Sequence, residues 1–265
     1  MGTTLLHTQL ITPQSPAVVL LHGLFGMSDN LMGTARAVAA EMPNCRIIVP
    51  DLINHGHSPH RGGMSYVEMA ADVLALMDAQ AVASAHIVGH SMGGKVAMQL
   101  AMQAPERVRS LTVVDIAPVA YPPRHTDILQ AMQVVAEADI QRRQEADAIL
   151  AKYVPEPALR QFFMKNMARN EEGAWCWRFG LNEITNAYES ICDAPIFVQP
   201  FQGSTLFIKG ELSDYILDEH SAVIQQFFPQ AEFSVIADAG HWLHAEQPLL
   251  FHRQVLRFIE ACENA

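Results

Sequence analysis

His86-Ile87-Val88-Gly89-His90-Ser91-Met92-Gly93-Gly94 is the stretch on which the reading of this chain turns. An apolar strand, Ala85–Val88, runs into Gly-His-Ser-Met-Gly, and a helix over Met92–Ala104 follows at once, closed by Pro105. A serine on so tight a strand-to-helix turn is forced into strained backbone angles, and side chains at positions 89 and 93 would clash. The turn exposes Oγ at the C-terminal edge of the sheet. It also aims the positive end of the next helix at developing negative charge. In this context Gly-x-Ser-x-Gly reads as a nucleophile turn rather than as a surface serine.

A rival reading uses the same residues. Gly89-x-x-x-x-Gly94-Lys95 satisfies most of the phosphate-binding loop pattern, and Leu111–Asp115 could supply an apolar strand ending in a magnesium-binding aspartate. The residue after Lys95 is Val96, however, so the hydroxyl that should ligate the metal is missing. The serine reading is the better one.

Outward from the turn, apolar runs alternate with helical stretches, the pattern of a parallel sheet covered on both faces. Expected strands are Thr3–Ile11, Ala17–Leu21, Arg46–Pro50, Ala85–Val88 and Ser110–Val114, with helices over Asn30–Glu41, Tyr66–Gln80 and Met92–Ala104. After Ser204 the alternation resumes: strands Thr205–Ile208 and Glu232–Ile236, helices Asp218–Phe228 and Pro248–Ala261. Residues 119–200 offer no strand. They present helical stretches, Ile128–Tyr153 and Pro157–Arg169, and the aromatic segment Trp175–Phe179. Residues 1–118 and 201–265 are therefore expected to form an α/β core, with 119–200 inserted as a helical cap.

Bulk composition narrows the function. With 265 residues, half of them hydrophobic, the chain can bury a substantial core. A net charge of −11 argues against nucleic acid or an anionic membrane as the main partner. The start, MGTTLLHTQL, lacks a signal-peptide pattern, and the apolar run Ala17–Leu21 is far too short to span a bilayer. Cys45, Cys176, Cys192 and Cys262 are scattered, without CxxC spacing, as expected of reduced structural thiols. A cytoplasmic protein without stable membrane insertion is the simplest expectation; oligomeric state is left open.

A serine hydroxyl needs a positioned base. Of 12 histidines, His241 has the best placing: Ile236-Ala237-Asp238-Ala239-Gly240-His241-Trp242 follows the last expected strand and precedes the last helix. His244 is the second choice. One oxyanion donor should come from the loop after an early strand, here Val18–Leu21 followed by His22-Gly23-Leu24-Phe25-Gly26, and the other from the residue after the nucleophile. The N–H groups of Leu24 and Met92 are the candidates. His55-Gly56-His57-Ser58-Pro59-His60 has a histidine rhythm close to that of binuclear metal hydrolases, but lacks the aspartate expected before the last histidine. It reads as a surface turn, with Asp51 fixing the loop.

In order along the chain, HGLFGMSDNL, DLINHGHSP, GHSMGGK, VDIAPVAY and GHWLHAEQP resemble the α/β-hydrolase superfamily, and within it the small bacterial YbfF-type esterases. The resemblance covers nearly the whole chain. Ile53 departs from it, standing where D-x-R-x-H-G-x-S carries arginine. The resemblance implies an α/β-hydrolase fold and a Ser-His-acid triad, with no cofactor or metal. Two sites could supply the acid. After the strand that follows the cap, Ile208-Lys209-Gly210-Glu211-Leu212-Ser213-Asp214 offers Asp214, one residue out of the usual spacing. The alternative is Asp115, at the end of the strand after the nucleophile helix. The YbfF-type resemblance favours Asp115, with Ser213 as a supporting partner.

The expectation is a serine esterase acting on a small-molecule acyl ester or thioester through an acyl-enzyme. The cap aromatics and methionines (Phe162, Phe163, Met164, Met167, Trp175 and Trp177) serve equally well as cap core or as an apolar tunnel for an acyl chain. A cofactor-free lyase using Ser91 and His241 for proton transfer, or a catalytically silent ligand-binding scaffold, are the alternatives.

Overall fold

The computed structural model describes residues 5–11 and 16–264. In chain order its elements are β1 (Thr8–Ile11), β2 (Ala17–Leu21), α1 (Met32–Glu41), β3 (Arg46–Pro50), α2 (Tyr66–Ala79), β4 (Ala85–His90), α3 (Met92–Gln103) and β5 (Val108–Val114). After the intervening segment come β8 (Thr205–Gly210), α9 (Ser221–Phe227), β9 (Ala231–Ile236), α10 (Leu243–Glu246) and α11 (Pro248–Glu263). Seven strands form one sheet in the order β1-β3-β2-β4-β5-β8-β9. Only β1 runs antiparallel, against β3; the other pairs are parallel. This is the α/β-hydrolase fold, a mostly parallel sheet flanked by helices. Of the expected first strand, Thr3 and Thr4 lie outside the described residues.

The central strands β2, β4 and β5 are buried on both faces apart from Arg109, so helices must cover both. Helices α2 and α3 pack on one side, with Val73, Met77, Val96 and Leu100 buried in the larger core. Helices α1 and α11 close the other, burying Val38, Phe251, Val255 and Ile259. Helix α2 starts where Ser65 and Glu68 exchange side-chain and backbone hydrogen bonds, a reciprocal cap that fixes its first turn. No disulfide joins the described cysteines, and no helix among the described residues is long and apolar enough to cross a membrane.

Between β5 and β8 the expectation of helices alone is corrected. The segment holds α4 (Thr126–Glu137), α5 (Arg143–Leu150), α6 (Pro157–Met164), β6 (Met167–Arg169), β7 (Trp175–Trp177), α7 (Leu181–Asn186) and α8 (Tyr188–Cys192). The helix expected over Ile128–Tyr153 breaks at Ala138 and Arg142, both extended, because Ile140 turns inward and is buried. Glu145 then accepts from the Gln141 N–H and restarts the helix. Likewise, Pro157–Arg169 is helical only to Met164. Its last residues form a hairpin with the tryptophan segment, registering Met167 against Trp177 and Arg169 against Trp175. The turn is closed by Asn170, whose side-chain oxygen accepts from the Ala174 N–H, and by Gly173 at φ +80°.

Candidate active site

Ser91 stands between β4 and α3 with φ 54° and ψ −121°, the strained turn that the two glycines permit. A Cβ at Gly89 would collide with the Gly93 carbonyl, and one at Gly93 with the carbonyls of Leu21 and His22. The Ser91 N–H donates to Val114 O at 2.9 Å, tying the turn to the end of β5. One residue further, Asp115 is also at positive φ (52°) and fully buried. Its N–H donates to Ile208 O, and its Oδ1 accepts from the Gly210 N–H at 3.0 Å.

These residues meet His241. Its Nδ1 lies 2.7 Å from Asp115 Oδ2 and its Nε2 lies 3.0 Å from Ser91 Oγ. The carboxylate can only accept, which assigns the proton to Nδ1 and leaves Nε2 free to accept from the serine hydroxyl. Ser213 Oγ donates to the same Asp115 oxygen. Asp214 faces away and pairs with Arg124 at 2.7 Å, with most of its side chain in solvent. The alternative base, His244, makes no contact with Ser91 Oγ; its ring packs 4.6 Å from that of His90.

The His241 loop is held from three sides. The Tyr215 ring stacks on the imidazole at 4.0 Å, and the His241 carbonyl lies 2.8 Å from His90 Nε2. The Glu246 carboxylate accepts from the N–H groups of Gly240 and Trp242.

The candidate oxyanion donors flank Ser91. Met92 is the first residue of α3, so the helix offers its N–H no carbonyl partner. Leu24 lies in the loop after β2, which is braced by buried side chains. His22 Nε2 accepts from the Leu52 N–H, His55 Nε2 accepts from the Phe25 N–H, and Asn166 Nδ2 donates to Phe25 O. Burial lowers the pKa of His22, and that of His55 to about 3, so both rings are neutral acceptors. His55 is fully buried, which corrects the surface-turn expectation for 55–60; only its His57 and His60 side chains are exposed. Asp51 does fix that loop, accepting from the N–H groups of Ser28 and His57. Ile53 is buried in the core beside it.

Lys95, the residue behind the phosphate-loop alternative, is buried and turned away from any such role. Its Nζ donates to Asp193 O at 2.6 Å and Cys192 O at 3.2 Å, and lies over the Tyr121 and Tyr66 rings. Burial lowers its pKa to about 8.

Two cavities open at Ser91. The larger, about 240 Å³, has an apolar wall of Phe25, Ile128, Leu159, Phe162, Phe163 and Trp242. The smaller, about 50 Å³, lies toward Tyr66, Lys95 and Tyr121. Of the six aromatics and methionines noted in 119–200, only Phe162 and Phe163 line the larger cavity; Met164, Met167 and Trp177 are buried core and Trp175 packs against it.

A family model described as the alpha/beta hydrolase fold matches residues 16–153. The chain belongs to the α/β-hydrolase family. It is 39% identical to the esterase YbfF of Escherichia coli (strain K12), covering 91% of this chain and 92% of that one. It is 37% identical to the sn-1-specific diacylglycerol lipase ABHD11 of Mus musculus, over 92% of this chain and 81% of that one. Among solved structures, a marine microorganism esterase superposes with a TM-score of 0.92 at 34% identity, over 96% of this chain and 99% of that one. The family and its YbfF-type members are those the sequence motifs resembled.

Proposed function

We propose that this carboxylic ester hydrolase works by two-step acyl transfer on Ser91. His241 accepts the serine proton as Oγ attacks the ester carbonyl, and Asp115 stabilises the imidazolium that forms. The N–H groups of Leu24 and Met92 receive the oxyanion, each donor being worth about 3 kcal/mol of barrier. His241 then protonates the leaving group. Water, deprotonated by the same imidazole, hydrolyses the acyl-enzyme. No cofactor or metal enters either step.

The observation that carries this reading is the unbroken line Asp115 Oδ2–His241 Nδ1, His241 Nε2–Ser91 Oγ, at 2.7 and 3.0 Å. Ser213 contributes by occupying a lone pair of the Asp115 oxygen that His241 uses. Asp214 takes no part. Esterase and lipase relatives support a small-molecule ester as the substrate, and the apolar wall of the larger cavity favours an apolar acyl chain. Thioesters are accepted on the same chemistry, since the attacked carbonyl and the oxyanion donors are unchanged. Residues 119–200 form the cap that roofs this cavity with Ile128, Leu159, Phe162 and Phe163, over a core of 1–118 and 201–265. The proposed working place is the cytoplasm.

The test is intact-mass analysis after exposure to a fluorophosphonate. One adduct on the wild type and none on Ser91→Ala is the expected result. An unlabelled wild type that also leaves short and medium esters untouched would overturn the acyl-enzyme reading and bring the lyase alternative forward.

A further inference from the structure

The sequence around 55–60 hinted at a metal through its histidine rhythm but lacked the right aspartate. The fold supplies a different trio. His7, just ahead of β1, is brought beside the loop after β3, and its backbone is anchored there: its N–H donates to Ser58 Oγ at 2.8 Å and its carbonyl accepts from the Asp51 N–H. We propose that His7, Asp51 and His57 form a binding site for a first-row divalent cation, Zn²⁺ being the best match to two imidazoles and one carboxylate.

Geometry comes first. One ligand atom from each residue lies within 4.8 Å of the other two. His57 Nδ1 is already 3.5 Å from Asp51 Oδ2. Tetrahedral zinc with bonds of about 2.0–2.1 Å needs neighbouring ligand atoms about 3.3 Å apart. One edge of the polyhedron is thus nearly formed. Closing the others asks only that the exposed His7 ring, 5.0 Å from that of His57, swing inward.

Chemistry agrees. Asp51 is 1% exposed, and its Oδ1 and Oδ2 accept from the N–H groups of Ser28 and His57. A carboxylate oxygen has lone-pair capacity beyond a single N–H donor. Those two backbone donors also hold the carboxylate plane fixed, the outer-shell support that metal-ligating carboxylates characteristically have. His7 and His57 are exposed, and the open side leaves room for water to complete the coordination.

A cation held there would clip the N-terminal strand to the loop 51–58. Through Asp51 Oδ1 it would also reach Ser28, two positions beyond the oxyanion loop. The site is separate from Ser91, and its test does not depend on ester turnover.

The experiment is calorimetric titration of the untagged full chain with Zn²⁺ at about pH 7.5, paired with thermal melting. The wild type should take up one ion at this site with micromolar affinity, and its melting temperature should rise by about 5 °C at a hundredfold excess over Kd. His7→Ala and His57→Ala should each weaken binding at least about tenfold, and the double variant should abolish the tight uptake. Neither change removes the backbone bond from residue 57 to Asp51, so both variants retain the loop staple. Uptake that is absent from the wild type, or unchanged in the double variant because another histidine carries it, would overturn the assignment.

Discussion

Among the described residues, five non-glycine residues at positive φ (Phe25, Asn54, Ser91, Asp115 and Asp238) follow strands at the C-terminal edge of the sheet, whereas in residues 119–200 only Gly173 is found there. The contrast separates two ways of building the two halves of a pocket. The sheet edge aims its groups with strained backbone, each such residue costing about 1–3 kcal/mol that surrounding strands must offset. The segment above it presents unstrained helices and positions Ile128, Leu159, Phe162 and Phe163 by packing alone. On the proposed mechanism, chemistry belongs to the sheet edge and selectivity to the packed helices above it.

The largest expected effect lies at the rigid edge. Ser91→Ala or His241→Ala should lower kcat by about 10⁵-fold or more, with little change in melting temperature, measured on a chromogenic medium-chain ester. Asp115→Asn should cost about 10⁴-fold in kcat, since an amide presents the wrong group to Nδ1. Asp214→Asn should stay within about threefold, because that carboxylate spends itself on Arg124 in solvent. Equal losses at 115 and 214 would break the assignment of the acid. Ser213→Ala comes next, at about tenfold in kcat, as Asp115 loses one donor but keeps the Gly210 N–H.

A smaller and different effect is expected from the roof. Phe162→Ala should raise KM for medium-chain esters about tenfold through lost apolar contact, leaving kcat and the KM for acetyl esters nearly unchanged. A drop in kcat for all chain lengths would show that the helices above the site help to aim the chemistry, and the division of labour drawn here would fail.

The same contrast explains what could be read from the amino acids. Gly89, Ser91 and Gly93 were legible because the turn admits almost nothing else, and the consequence is visible in the collisions any Cβ would make there. His241 was legible from its order behind the last strand. Asp115 was not separable from Asp214 by spacing; only the resemblance to YbfF-type esterases favoured it, and the geometry now places its carboxylate 2.7 Å from His241. The β6–β7 hairpin escaped because three-residue strands are too short to display a period of two. Tyr215 and Asn166 escaped for a further reason. Their value lies in contacts with His241 and Phe25, distant in sequence, and nothing local in their own segments announces such a meeting. Long-range polar braces are where reading along the chain stops.

The smallest predicted effect concerns acid, and it sharpens the comparison because both halves contribute a histidine. His55 braces the oxyanion loop of the rigid edge, while His125 opens the helical segment, its backbone N–H donating to the Tyr188 phenol oxygen Oη at 2.7 Å. Burial lowers the pKa of His55 to about 3, and that of His125 to about 4. In the unfolded chain both return to about 6.5. Between those limits the unfolded state binds more protons than the native state, so stability must fall as pH drops from about 6.5 toward 4. Above pH 7 neither group contributes any slope. Melting curves taken across that range should show the decline, and His125→Gln should flatten it while leaving the stability at neutral pH little changed. His125 borders both cavities at Ser91, so the acid loss belongs partly to the roof. If His125→Gln leaves the acid limb untouched, the decline comes from His55 and the other buried rings of the sheet edge, and the roof is the more acid-tolerant half.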